Sequence, residues 1–308
     1  IEGKGESVWL GFFLHDVLRR FEPLANARQD GITAALCQTE MQQLRKALEA
    51  HAWDGDWYMR AWFDDGRPLG SHLSLECKID ALPQSWAALS GACDAARCRA
   101  AMDAVDRRLV RATDGLIALF DPPFDTSDLE PGYIKGYPSG VRENGGQYTH
   151  AAVWTSMAFA TLGDRTRAWK TFDLLNPVHH GDSRDAIARY RVEPYVLAAD
   201  VYGAAPFIGR GGWTWYTGSA GWFYRLAIES LLGLERRGTC LRLSPLPRSG
   251  WRSYRLDYRY YSATYRILVE GEGSVSEIRE NEVLLSDSLV PLVDDGREHH
   301  ILVRLTSE

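Results

Sequence analysis

Apolar residues recur every three or four positions along most of the first 233 residues, which predicts a mainly helical region. Glycine or proline follows several of these segments, as is common after a helix end. Long loops rich in Gly, Pro and Asp separate the segments, above all 121–146, and such loops often carry function. The predicted helices cover 8–21, 32–50, 85–90, 97–110, 148–162, 166–175, 194–202 and 222–232.

The pattern changes after Gly238. Alternating, β-branched and aromatic residues bounded by turn residues predict strands at 241–243, 254–261, 263–270 and 301–305. The sequence therefore predicts two domains, a helical one over 1–237 and a small β domain over 238–308.

Composition and charge narrow the possible functions. The chain has 308 residues and a net charge of −6, which argues against non-specific nucleic-acid binding. The chain has five cysteines, an odd number, and no CxxC pair. We therefore expect free thiols in a reducing compartment and no zinc site. No run of 18 apolar residues is present, so we expect no membrane contact. The eleven Trp suit either core packing or sugar binding.

The segment 209–222, GRGGWTWYTGSAGW, combines two features that suit chemistry on a sugar and a phosphate. Its glycine-rich part leads into a predicted helix, and the free N–H groups of a first helical turn favour an anion. Trp213, Trp215 and Tyr216 offer flat faces for sugar rings. The segment lacks a complete Walker or Rossmann fingerprint. The alternative is a capped helix beside a buried aromatic cluster.

A second segment, 132–150, reads GYIKGYPSGVRENGGQYTH. Together with GRGGWTWYTGSAGW, it resembles glycoside hydrolase family 94, the inverting β-glucoside phosphorylases. Within that family, the chain looks most like the C-terminal phosphorylase-like domain of bacterial cyclic β-1,2-glucan synthases. The similarity extends nearly end to end, through GKGESVWLGFFL, DGDWYMRAWFDDGRPLGS, LPQSWAALSG, LLNPVHH and RYRVEPYVLAADVY. It implies the C-terminal part of an (α/α)6 barrel followed by a small β-sandwich-like domain.

The resemblance implies a phosphate site formed by His150, Thr217 and Gly218. A hydroxyl and a backbone N–H are suitable donors to phosphate oxygens. Phosphate is already an anionic nucleophile, so an inverting phosphorylase needs no general base. The alternatives are a packing role for His150 and simple N-capping by Thr217.

The resemblance also places sugar-binding residues in this chain. Arg142 stands where some members carry a substrate-contacting Lys, and its planar fork suggests a different acceptor preference. Asn-Gly-Gly at 144–146 predicts a turn with positive φ that carries Arg142 and Glu143 to the mouth of the site, the alternative being an exposed ion pair. Three further residues are candidates for sugar binding, and each could equally make a structural hydrogen bond: Lys135, Gln84 and Glu193. Arg60 and Arg210 are weaker candidates.

No catalytic residue is expected within the chain. In the family, the general-acid Asp lies in a Gly-Asp-Trp-Asn-Asp type motif just upstream of the segment that matches GKGESVW, so the acid is expected before Ile1. Asp54 and Asp56 belong to a different block of the family. The chain is therefore interpreted as an inactive fragment of a larger protein, and we expect a cytoplasmic location, with the parent synthase anchored in the bacterial inner membrane.

The leading hypothesis is reversible phosphorolysis of β-glucosidic bonds, in the first place β-1,2 bonds, giving α-glucose 1-phosphate. Inorganic phosphate is the co-substrate, and no cofactor or metal is expected. The expected partners are a β-glucan oligosaccharide and the rest of the parent polypeptide. The alternatives are a non-catalytic module that binds glucan or controls its length, and a helical-barrel hydrolase, which would need a carboxylate to activate water.

Overall fold

The computed structural model describes residues 2–215 and 217–306; of Thr217, it describes the backbone and not the side chain. The chain forms two compact units. Unit 1 comprises Ile1–Leu162 and Thr171–Trp222, and unit 2 comprises Gly163–Lys170 and Phe223–Glu308.

Helices dominate unit 1. Two of the helices, α6 and α8, continue from one unit into the other, and α8 is followed by a π-helical turn at Leu226–Leu231. The helices are α1 (Val8–Ala27), α2 (Gly31–His51), α3 (Ala81–Ser90), α4 (Ala95–Arg108), α5 (Thr149–Thr161), α6 (Arg165–Leu175), α7 (Arg184–Tyr190) and α8 (Thr217–Arg225).

Short two-residue strands connect the loops between these helices. They form one three-stranded sheet, β1-β2-β3, and the pairs β4-β7, β5-β6 and β8-β9. The strands are β1 (Glu6–Ser7), β2 (Ala61–Trp62), β3 (Pro68–Leu69), β4 (Ile79–Asp80), β5 (Val110–Arg111), β6 (Leu116–Ile117), β7 (Phe120–Asp121), β8 (Gln147–Tyr148) and β9 (Asp200–Val201).

Most helices lie where the apolar spacing predicts them, and their ends have local causes. Asp94 caps α4 by accepting hydrogen bonds from two backbone N–H groups of its first turn. Gly91 and Gly163 follow α3 and α5 in the left-handed conformation, with φ of 69° and 75°. The segment 222–232 is helical as predicted, and its helix already begins at Thr217.

The predicted helix over 194–202 is wrong. Its N-terminal part forms turns and irregular backbone, and Asp200–Val201 form strand β9, which pairs with β8. The backbone of Ala199 donates to the carbonyl of Trp213 (2.6 Å), so hydrogen bonds to a distant segment replace those of a helix. The helix in this region is α7, which lies earlier and is capped by the Ser183 side chain.

Helix α1 is apolar on two sides. One side packs into unit 1, where Phe12 is fully buried and meets the ring of Tyr58 edge-on, 5.0 Å between centroids. The other side carries five exposed apolar residues at three- and four-residue spacing, each between 42% and 61% exposed. We call them the α1 stripe: Leu10, Leu14, Val17, Phe21 and Leu24.

Unit 2 contains most of the β structure. Its strands are β10 (Leu234–Arg237), β11 (Cys240–Leu243), β12 (Ser253–Tyr260), β13 (Ala263–Gly271), β14 (Ser274–Glu280), β15 (Val283–Leu284), β16 (Leu289–Pro291) and β17 (Glu298–Thr306). They form a three-stranded sheet, β10-β11-β16, and a five-stranded sheet, β12-β13-β17-β14-β15.

One apolar core in unit 2 takes side chains from both sheets, among them Leu241 from the first and Tyr265 and Val303 from the second. In β13 and β17, burial alternates from residue to residue, as the period of two predicts. The four predicted strands are confirmed as β11, β12, β13 and β17, whereas β10, β14, β15 and β16 lack a clear sequence pattern. Among the described residues, none of the helices has the length and apolar character that a membrane crossing needs.

Candidate functional site

A cavity of about 220 Å³ in unit 1 brings several predicted site residues together. A larger depression, of about 1290 Å³, lies against the five-stranded sheet of unit 2 and contains none of the predicted site residues. We therefore take the smaller cavity as the candidate site. It is lined by Arg142, Glu143, Tyr148, His150, Ala199, Asp200, Trp213, Gly218 and Ser219.

The β8–β9 pair holds one wall of this cavity. Tyr148 pairs with Asp200 in an antiparallel register, and α5 begins directly after β8, which places His150 in the first turn of that helix. The buried Gln147 fixes the strand end, because its side-chain oxygen accepts a hydrogen bond from the N–H of Ile117 (2.8 Å). His150 and Asp200 thus share a wall although they are distant in sequence.

His150 is available to a ligand. Its ring lies near Trp154 (5.5 Å between centroids) and Tyr148 (6.0 Å), and neither ring nitrogen makes a hydrogen bond within the described part of the chain. Partial burial lowers the pKa of His150, so the ring is neutral near pH 7. A neutral imidazole presents one N–H donor and one acceptor, and protonation would turn it into a cationic double donor.

The N-terminus of α8 lies against His150. A Cβ built on Gly218 would come within 2.8 Å of Cε1 of His150, so only a glycine allows this approach without movement of the ring. The first N–H groups of a helix have no partner inside the helix and carry the positive end of its dipole. Tyr216 and the side chain of Thr217 lie outside the described residues, so their predicted roles remain predictions.

Arg142 and Glu143 also line the cavity. Arg142 itself has a positive φ of 51°, and its guanidinium lies over the Trp213 ring, 3.4 Å from the centroid. The predicted turn is present, with φ of 78° at Gly145, and Gly146 packs against the backbone of Arg142.

Asn144 anchors this turn. It is fully buried, and its side-chain amide donates to the carbonyls of Phe124 (2.9 Å) and Tyr137 (2.8 Å) while its oxygen accepts from the N–H of Phe124 (2.8 Å). Because the amide is saturated by backbone groups, the loop that presents Arg142 and Glu143 is fixed in place.

The structure does not bring Gln84 to the cavity. Gln84 is fully buried, its oxygen accepts from the N–H of Tyr58 (2.9 Å), and its NH₂ donates to the carbonyls of Tyr58 (2.7 Å) and Asp80 (3.0 Å). Gln84 thus makes structural hydrogen bonds, which the sequence analysis gave as the alternative to a sugar contact. Arg60 also lies in this region and forms an ion pair with the buried Asp80.

Lys135 and Glu193 likewise lie outside the lining of the cavity. Lys135 donates to the carbonyls of Ser127 (2.5 Å) and Leu129 (3.1 Å), and Glu193 accepts from the indole N–H of Trp215 (2.9 Å). Each therefore has a protein partner in this structure, and a sugar contact from either stays a prediction. Arg210 lies over the ring of Phe207, 5.5 Å from the centroid.

Asp200 is a cavity residue that the sequence interpretation missed. It is 3% exposed, and its Oδ1 accepts a hydrogen bond from the N–H of Trp213 (3.0 Å). Burial raises the pKa of its carboxyl group, while the Trp213 N–H and the charge of Arg142 act in the opposite direction. The available signal was a single carboxylate within the apolar run VLAADVY, because a carboxylate is rarely buried without a reason.

The cavity is therefore lined by two chemically different sets of groups. His150 and the helix end at Gly218 offer hydrogen-bond donors suited to an anion, and Arg142 adds a positive charge. Glu143 and Asp200 offer carboxylates, which repel an anion but accept hydrogen bonds from hydroxyl groups. A ligand that carries both a phosphate and sugar hydroxyls fits this division.

Comparison with known proteins agrees with this chemistry. The model of the "Glycosyl hydrolase 94 superfamily, catalytic domain" matches residues 1–233. The chain is 50% identical over 275 residues to the cyclic beta-(1,2)-glucan synthase NdvB of Rhizobium meliloti (strain 1021), covering 89% of this chain and 10% of that protein. It is 28% identical to the solabiose phosphorylase of Paenibacillus borealis, covering 98% of this chain and 39% of that protein.

A third relative is the N,N'-diacetylchitobiose phosphorylase of Vibrio furnissii, at 32% identity over 89% of this chain and 34% of that protein. The chain thus spans between a tenth and two fifths of the length of these relatives. Among solved structures, a sialidase matches 83% of this chain and 23% of its own, with a TM-score of 0.56 and 13% identity, which shows a likeness of fold alone.

Proposed function

The chain belongs to the glycosyl hydrolase 94 superfamily, and from this premise we propose that it forms part of an inverting phosphorylase that cleaves or forms β-glucosidic bonds. The observation that carries the proposal is the cavity that His150, the N-terminus of α8, Arg142, Glu143 and Asp200 line together. This set can hold phosphate and a sugar side by side, which is what phosphorolysis requires.

In the proposed reaction, phosphate attacks the anomeric carbon from the face opposite to the leaving oxygen. Inversion of a β-glucoside then yields α-glucose 1-phosphate and a shortened glucan. His150 and the N–H groups at Gly218 hold the phosphate oxygens, and no base is needed because phosphate is already an anion. We propose β-1,2 linkages because identity is higher to the cyclic β-1,2-glucan synthase than to the two phosphorylases described above.

We also propose that the general acid, and further helices of an (α/α)6 barrel, come from a segment outside this chain. The α1 stripe supports the packing of further helices, because five regularly spaced apolar residues on a helix are suited to packing against another helix. On this proposal, residues 1–237 form the C-terminal part of the barrel and residues 238–308 a β-sandwich-like domain. The isolated chain should then show no turnover, because protonation of the leaving oxygen typically contributes about 10²–10⁴-fold.

The test uses the full natural polypeptide that contains this chain. It is incubated with β-1,2-gluco-oligosaccharides and phosphate, and glucose 1-phosphate is measured enzymatically while its anomeric form is assigned by proton NMR. We expect α-glucose 1-phosphate at a rate that rises with phosphate. Cellobiose and N,N'-diacetylchitobiose serve as controls for linkage and sugar, and both should react more slowly.

Two results would contradict the proposal. Release of free glucose at a rate independent of phosphate would indicate a hydrolase. Oligosaccharide binding without turnover by the full polypeptide would favour the alternative of a glucan-binding module that controls chain length.

A further inference from the structure

One carboxylate oxygen in the cavity wall lacks a donor from the described part of the chain. Asp200 Oδ1 accepts from the N–H of Trp213, whereas Oδ2 is buried and has no hydrogen-bond partner among the described residues. A buried acceptor left unpaired destabilises a fold by about 1–3 kcal/mol, and more when it is charged. An oxygen of this kind in the wall of a cavity therefore points to a ligand that supplies the missing donor.

The surrounding backbone prevents Asp200 from turning to another partner. The carbonyl of Asp200 accepts from the N–H of Gly212 (2.8 Å), and a Cβ on Gly212 would come within 2.4 Å of both carboxylate oxygens. On the other side, β9 holds Asp200 in register with Tyr148 of β8. The GRGGW segment is thus closed tightly around the carboxylate, and Oδ2 has a fixed position.

The chemistry of the cavity identifies the donor. A phosphate oxygen would be repelled by ionised Asp200, and Glu143 would add to the repulsion. A hydroxyl group suits the position in either protonation state of Asp200, because it donates to a carboxylate and accepts from a carboxylic acid. The cavity volume of about 220 Å³ lies below the ~300–1,000 Å³ of drug-sized sites, so it suits a single sugar ring with its phosphate.

We propose that Asp200 is a sugar-binding residue whose Oδ2 accepts a hydrogen bond from a ring hydroxyl of the glucosyl unit next to the phosphate. The inference rests on the proposed function for the identity of the sugar. It assigns Asp200 and His150 to opposite ends of one ligand: Asp200 binds the sugar and His150 the phosphate.

The first experiment measures the binding of glucose 1-phosphate and of inorganic phosphate separately, by calorimetry on the full natural polypeptide. Asp200→Ala should weaken glucose 1-phosphate binding by about ten- to a hundredfold, as expected for a lost hydrogen bond to a charged group. Its affinity for inorganic phosphate should stay unchanged or rise, since a negative charge is removed.

The matched control is Asp16→Ala. Asp16 is also buried, at 5% exposure, but both of its oxygens are paired, with Arg19 and Arg20, and it does not line the cavity. This variant should lower the melting temperature and leave both affinities unchanged. A loss of both affinities in Asp200→Ala would mean that Asp200 only supports the loop at Trp213, and the inference would be wrong.

The second experiment pairs the variant with glucose 1-phosphate analogues that each lack one hydroxyl. The analogue that lacks the hydroxyl in contact with Asp200 should bind the wild type more weakly than glucose 1-phosphate does. Asp200→Ala should bind this analogue and glucose 1-phosphate equally well, because the contact is already lost, and this non-additivity indicates a direct contact. If every analogue loses the same factor in both proteins, Asp200 contacts no hydroxyl.

If Asp200→Ala does not fold, Asp200→Asn replaces it. The Asn side-chain oxygen can still accept from the Trp213 N–H, while its NH₂ can donate to the sugar hydroxyl only in a neutral hydrogen bond. The deoxy analogue should therefore cost this variant less affinity than it costs the wild type. Both experiments measure binding, so they remain informative if the polypeptide shows no phosphorolysis. In that case the proposed reaction fails while the assignment of Asp200 is still decided.

Discussion

Substituting alanine for Gly218 separates phosphate binding from the stability of the helix. A Cβ at this position would lie 2.8 Å from Cε1 and 3.5 Å from Nε2 of His150. The first distance is about 0.7 Å below the ~3.5 Å of a normal carbon–carbon contact, so the imidazole must move away from the helix end. Gly218 does not have a positive φ, and alanine is favoured over glycine by about 0.5–1 kcal/mol within a helix.

We therefore expect Gly218→Ala to leave the melting temperature unchanged or slightly higher while phosphate affinity falls at least about tenfold. That factor corresponds to most of one charge-assisted hydrogen bond, worth roughly 1.5–3 kcal/mol. The assay is calorimetric phosphate titration of the full natural polypeptide, together with its thermal unfolding.

Gly221→Ala is the matched control in the same helix. Outside its own helix, a Cβ at Gly221 would meet none of the described atoms within 4 Å, so this variant gains helix propensity without touching His150. Its phosphate affinity should equal that of the wild type. If Gly218→Ala also binds phosphate normally, the contact between His150 and the helix end has no part in phosphate binding, and the reasoning is wrong.

The remaining predictions concern other parts of the chain. Arg142→Ala should weaken the sugar acceptor more than phosphate, because His150 and the helix end at Gly218 remain to hold phosphate, whereas the platform of Arg142 over Trp213 is lost; separate KM values for the two substrates check this. Phe21→Gln in the α1 stripe should make the isolated chain more soluble but destabilise the full polypeptide by about 1 kcal/mol, measured by urea unfolding, as burial of a half-exposed Phe implies. Burial acts to lower the pKa of His299, but hydrogen bonds to two carboxylates outweigh it, so the pKa is raised. The stabilisation from protonated His299 is present below about pH 6.5 and is lost as the pH rises through the raised pKa, and His299→Gln should abolish this pH dependence in denaturant titrations of the chain between pH 5.5 and 8.5.

Much of the fold could be predicted because local periodicity and local stop signals agree. The helix before Gly91 and the one before Gly163 end where a left-handed glycine is available, and the strands of unit 2 alternate as half-buried strands do. The failure at 194–202 has a tertiary cause. The backbone of this segment bonds to β8 and to the segment around Trp213, and these interactions outweigh a weak helical pattern.

Some residues of the candidate site could likewise be predicted from the sequence, and one could not. His150, Gly218, Arg142 and Glu143 could be named from motifs, and the structure places them around one cavity. Asp200 could not, because what makes it notable is a buried oxygen that receives no hydrogen bond from any residue that the structure describes, and no sequence spacing encodes that.

The most direct test of the central claim is the effect of His150→Ala on the two substrates of the full natural polypeptide. The claim is that this cavity binds phosphate through His150 beside a sugar. Loss of one charge-assisted hydrogen bond predicts that the apparent KM for phosphate rises about ten- to a hundredfold while the KM for the β-1,2-glucan stays within about twofold. A variant in which only the glucan KM rises, with phosphate saturation unchanged, would show that phosphate binds elsewhere and would contradict the account.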